Sequence, residues 1–128
     1  MSVDIFFEKD FTLREVKEKT DLKIELLNDS YWIGKDTIGM EASCVKINDS
    51  VDDMDQFVTE LTSHGCPEAS DIIEEIVLKL QTLFATDSQM EEIWRMENPT
   101  VEDFDRVYEE SSDIFGYIVD DQGKIIKK

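Results

Sequence analysis

The residues with the most chemical potential in this chain are carboxylates, and three of them share a spacing. Glu102, Asp105 and Glu109 stand at i, i+3 and i+7 in the stretch 98-NPTVEDFDRVYEESSD-113, which holds a single arginine. On a helix that spacing makes one row, with neighbours about 5–6 Å apart that repel by a few tenths of a kcal/mol per pair. Such a row suits a metal ion, an acid–base pair or a cationic partner; the plain alternative is a solvated surface. A second set lies earlier, in 50-SVDDMDQFVTEL-61. Read as a helix, that segment puts Asp52 and Asp55 in one row and Asp53 and Glu60 in a neighbouring one.

Metal chemistry fails on ligand spacing. A calcium loop of the EF-hand type needs oxygen ligands at its first, third, fifth and twelfth positions and glycine at the sixth. Counting from Asp103 puts Val107 fifth and Tyr108 sixth, and counting from Asp49 puts Val51 third. A structural zinc site needs about four Cys or His ligands, and the chain has only Cys44, Cys66 and His64. Nucleophilic catalysis would need a Cys–His pair, either within 63-SHGCP-67 or between Cys44 and His64. The plain reading of these residues is a histidine in the last turn of a helix and small buried cysteines. No phosphate-binding glycine loop or nucleophile-elbow motif occurs. The expectation is therefore a protein that is not an enzyme and that carries no cofactor and no metal.

These residues must be positioned by elements with a readable pattern. Val3, Ile5 and Phe7 alternate as in a strand, with Phe6 on its other face. Thr12 and Glu15 have capping-box spacing ahead of a short helix. Leu22–Leu27 and Ile38–Ile47 read as strands, and 28-NDSYWIGKDTIG-39 as turns flanking a short extended piece at Tyr31–Ile33. After the helix expected over 51–61, Gly65 stops it and Pro67 opens another. The stripe Ile72, Ile73, Ile76, Val77, Leu80, Leu83 and Phe84 marks that one as the central helix. A shorter helix, capped by Asp87 or Ser88, places Met90, Ile93 and Trp94 in the core. Thr100, with Asp103 three residues on, caps the acidic helix, whose Val101, Phe104, Val107 and Tyr108 face inward. Residues 114–127 read as a hairpin about a DDQG turn. The whole predicts a single α+β domain over residues 1–128: a small, mostly antiparallel sheet built from both chain ends and packed on a helical middle.

Charge sharpens the functional reading. The chain has 128 residues and a formal charge of −18. Residues 49–113 hold nineteen acids against three bases, a balance of −16, so nearly all the excess lies in the middle. That balance argues against direct nucleic-acid binding, which needs a basic face, and against an anionic membrane surface. No apolar run approaches a membrane span or a signal peptide. Two cysteines make no disulfide framework and fit a cytoplasmic protein with reduced thiols.

In size, charge and compartment, though in no motif, the chain is similar to bacterial immunity proteins, which block a toxin, and to acidic phage proteins that imitate DNA. The expected function is that of an acidic inhibitor or immunity protein for a basic partner such as a toxic nuclease. The alternatives are a DNA mimic and a structural adaptor or assembly chaperone. The candidate face comprises Asp52, Asp55, Glu102, Asp105 and Glu109. Trp32, beside Gly34 in the turn-rich segment, is either an interface anchor or a cover for the core edge. The sequence leaves the oligomeric state open.

Overall fold

The computed structural model describes residues 2–35, 45–48, 51–64 and 68–128. Strand β1 (Val3–Thr12) runs into helix α1 (Leu13–Lys19), followed by β2 (Lys23–Leu27), β3 (Ser30–Gly34), β4 (Val45–Ile47) and β5 (Phe57–Ser63). Helix α2 (Ala69–Leu80), strand β6 (Phe84–Thr86), helices α3 (Asp87–Trp94) and α4 (Val101–Ile114) and the hairpin β7 (Tyr117–Val119) and β8 (Ile125–Lys127) complete the order. Six strands form one sheet in the order β2-β3-β4-β5-β1-β6, every neighbouring pair antiparallel; β7 and β8 form a second, two-stranded sheet. The α+β class and the antiparallel sheet are those the sequence predicts. No helix among the described residues is long and apolar enough to cross a membrane.

Alternation in β1 divides the interior. Ile5 and Phe7 are buried on one face with Ile33, Val45, Ile47 and Leu61 of the sheet, against Leu13 and Val16 of α1 and the α2 stripe Ile72, Ile73, Ile76 and Val77. Phe6 points the other way and joins Ala85, its cross-strand partner, in a smaller cluster. There Met90 and Ile93 of α3 meet Val107, Phe104 and Tyr108 of α4. Helices α1 and α2 thus cover one face of the sheet, and α3 and α4 cover the β1–β6 end of the other.

Several expectations fail for identifiable physical reasons. Residues 51–56 form turns, and 57–63 form the strand β5 between β4 and β1; there is no helix over 51–61. Local side-chain bonds outcompete helical ones: the Asp53 carboxylate accepts from the Asp55 N–H at 2.8 Å, and the Gln56 side-chain oxygen accepts from the backbone of Asp52 and Asp53. Val58, Thr59 and Thr62 then suit a strand hydrogen-bonded on both sides. His64 therefore follows a strand, not a helix. Leu83 and Phe84 lie outside α2, which ends at Leu80. Gln81 adopts a left-handed conformation there (φ 54°, ψ 57°), and Phe84 opens β6. The N-cap of α3 is Thr86. Trp94 is 55% exposed and stacks edge-on against Phe6 at 5.5 Å. Val101, expected to face inward, is 76% exposed. Cys44, Cys66, the expected start of the β4 strand at Ile38 and the signals at Gly65 and Pro67 lie outside the described residues.

Candidate partner-binding face

Helix α4 starts where its cap dictates. The Thr100 hydroxyl accepts from the Asp103 N–H at 3.2 Å, and the Asp103 carboxylate accepts from the Thr100 N–H at 2.9 Å, a complete capping box. The bonds that this carboxylate accepts from the Thr100 N–H and, at 3.0 Å, from the Thr100 hydroxyl hold the Asp103 carboxyl below its ordinary pKa, with a smaller contribution from Arg106. At its other end α4 is fastened to the sheet by Ser112. Its buried hydroxyl accepts from the Phe84 N–H and donates to the Phe84 carbonyl, both at 3.0 Å. One serine thereby replaces the strand neighbour that β6 lacks on its outer side.

The carboxylates of α4 divide into two groups. Arg106 lies 2.8 Å from Glu92 of α3, 3.7 Å from Glu110 and 4.0 Å from Asp103, so one guanidinium serves three acids. Asp113 pairs with the Lys128 ammonium. Glu102, Asp105 and Glu109 are exposed and take part in no ion pair among the described residues. The row inferred from spacing is thus real in three dimensions and carries uncompensated charge.

Its neighbour across the fold is Glu8. This residue sits in the irregular stretch of β1 between Phe6 and Phe11, where the pairing with β5 shifts register and the Glu8 N–H donates to the Leu83 carbonyl at 2.9 Å. Burial raises the Glu8 pKa above its ordinary value; Lys9 opposes that shift, and Asp105 and Glu109 add to it. The phenol of Tyr108 is likewise pushed up, first by burial and then by Glu8 and Asp10. Glu8 therefore belongs to the acidic face. The sequence offered a weak signal, a charged residue directly after the alternating run Ile5–Phe7, but nothing that placed it beside a helix a hundred residues later.

Asp52 and Asp55 do not join this face. Asp55 is engaged by Arg14 of α1, Nε to Oδ1 at 2.5 Å and Nη2 to Oδ2 at 3.3 Å, and the first of these bonds lowers its pKa. That charge serves to dock the 51–56 turn onto α1, as does the Arg14 N–H donated to the Met54 carbonyl. Asp52 lines a separate cleft with Asp29, Ser30, Tyr31 and Lys46.

Trp32 lies on β3 opposite Glu25 and Lys46. Register carries this row through Thr62 to Asp4, on the sheet face that α3 and α4 cover elsewhere, three strands from β1. The indole is half-buried, its ring 5.7 Å from that of His64, and its buried N–H has no hydrogen-bond partner among the described residues. Trp32 is therefore remote from the α4 row.

Among the described residues no group of three or more His, Cys, Asp or Glu has the geometry to hold a metal ion. Comparison with protein-family models, with curated proteins and with solved structures gives no match for this chain.

Proposed function

We propose that the protein is a non-enzymatic inhibitor that binds a basic protein through the acidic face of α4, in the manner of an immunity protein that neutralises a toxin in the cytoplasm. The observation that carries this reading is the unpaired row Glu102, Asp105 and Glu109, set beside Glu8. Elsewhere on the same helix every carboxylate has a cationic or capping partner. An incoming cation would relieve repulsion that the free protein retains, so binding gains twice, by attraction and by the removal of that repulsion.

A second reading rests on different residues. Trp94, Val101, Ile114, Phe115 and Val119 are large apolar side chains left exposed, and an adaptor or assembly chaperone would use them. The two readings differ in salt dependence. An acidic inhibitor loses association rate steeply as salt rises, whereas apolar docking is nearly indifferent.

The test begins with affinity capture from the native cell and mass spectrometry to obtain the partner. Stopped-flow association is then measured at two salt concentrations. We expect a basic partner whose on-rate falls with salt and is slowed by the double variant Asp105→Asn/Glu109→Gln. A partner that binds this variant at the wild-type rate would remove α4 from the interface.

A further inference from the structure

Strand β2 ends the six-stranded sheet on the side away from β6. The direction of its hydrogen bonds follows from the turn that joins it to β3. Leu27 and Ser30 face each other across Asn28 and Asp29, both with positive φ (51° and 64°), as in a two-residue type I′ hairpin loop. The pair flanking such a loop is hydrogen-bonded, and bonded and non-bonded pairs then alternate along an antiparallel ladder. Glu25 and Lys23 therefore bond inward, to Trp32 and Gly34. The N–H and carbonyl groups of Ile24 and Leu26 point outward, where no hydrogen bond meets them among the described residues. Register with β3 is regular over all five residues, with no bulge or proline to blunt the edge. Lys23 alone would guard that edge against pairing. Two residues on, however, Glu25 stands on the same face. Both side chains are exposed and take part in no ion pair among the described residues.

We propose that β2 pairs antiparallel with β2 of a second copy of this chain, about a two-fold axis through Ile24. Charge selects this register. Centred on Ile24, the pairing sets Lys23 of each copy against Glu25 of the other. These are two opposite-charge pairs at the closer, non-hydrogen-bonded positions. The outward groups of Ile24 then bond those of Ile24 in the second copy. Moving the axis to Lys23 or to Glu25 sets that residue against its own copy, like charge against like. Moving it to Leu26 leaves Glu25 facing Leu27. The edge is thus self-complementary in one register, as a two-fold interface requires. The charge of −18 on each copy weighs little here. Residues 1–48 hold ten acids against seven bases. At physiological salt, charges more than about 8 Å apart are largely screened, whereas facing side chains lie closer than that. Helix α4 is fastened at β6, the other end of the sheet, so the pairing neither uses nor blocks it and stands independently of the reading of α4.

The test is sedimentation equilibrium of the full chain at physiological salt, up to about 1 mM protein, where weak association still registers. Wild type should show a monomer–dimer equilibrium. Lys23→Glu and Glu25→Lys should each weaken it about tenfold or more, because each turns both facing pairs into like charges. Net charge alone would move these two variants in opposite directions, since one adds negative charge and the other removes it. Mixed in equal amounts, the two variants should form a heterodimer in which both facing pairs are again opposite. The double variant Lys23→Glu/Glu25→Lys should recover the homodimer. Both positions are exposed, and circular dichroism checks that each variant is folded. A wild type that stays monomeric at about 1 mM would overturn the proposal. So would single variants that dimerise as wild type does, or weakened single variants that neither the mixture nor the double variant restores.

Discussion

Two adjacent serines on α4 make a sharp comparison at the scale of single residues. Both are fully buried. Ser112 satisfies the Phe84 N–H and carbonyl, while the Ser111 hydroxyl has no partner among the described residues. Replacing Ser112 with alanine strands two buried backbone groups and should cost about 1–3 kcal/mol. Replacing Ser111 with alanine removes an unsatisfied hydroxyl and should be neutral or stabilising. Denaturant melts of the two variants check this, and equal costs would refute the assignment. Glu8 supplies a pH-dependent counterpart. Its folded pKa is raised above the ordinary 4.5, by burial first and with Asp105 and Glu109 adding to it. The native state is therefore unpenalised below that value and loses stability as pH rises through the shifted pKa. Glu8→Gln should be more stable than wild type at neutral pH, and the gain should vanish in acid. In an Asp105→Asn/Glu109→Gln background the gain should shrink, because two of the charges that disfavour the ionised Glu8 are gone. An unchanged gain would separate Glu8 from the α4 row.

Among the elements, α4 is the one the sequence describes best. Its cap, the pairing of Arg106 with Asp103 and Glu110, and its exposed row all follow from positions within one helix, where spacing alone determines neighbours, whereas the shortest Arg106 pair, to Glu92 of α3, does not. The segment 51–61 shows the opposite case. Val51, Met54, Val58 and Leu61 fit a helical period, but strand pairing with β1 and β4 and the Asp53 and Gln56 turn bonds decide otherwise, and these depend on distant chain. The helical row expected for Asp52 and Asp55 goes with that assignment, and Asp55 pairs with Arg14 of α1 instead. Trp94 was misplaced for a related reason: the cluster around Phe6 spans only the two strands β1 and β6 and is too small to enclose an indole at the end of α3. Since α4 carries repulsion with no folding role, Asp105→Asn/Glu109→Gln should fold as stably as wild type or gain a few tenths of a kcal/mol per relieved pair. Thermal denaturation measures this, and a clear loss would mean that the row is structural.

For the whole molecule, a charge of −18 sets a field that surface ion pairs only partly offset, since exposed pairs are worth about 0–1 kcal/mol each. Added salt screens both, but the self-repulsion is the larger sum, so the melting temperature should rise with sodium chloride over the range where the Debye length falls below about 10 Å. A melting temperature that fell instead would assign stability to the ion pairs. The Ser112 hydroxyl carries a further consequence at this scale. A six-stranded sheet has two rims at which a foreign strand can add. At β6 the outward Phe84 groups are occupied by a side chain, so that rim is closed to strand addition, whereas β2 at the far rim has no described strand beyond it. Head-to-tail growth of a fibre needs two receptive rims on every copy. With one rim closed, rim-to-rim association of this sheet stops at a pair, and a single hydroxyl becomes a chain terminator for polymerisation.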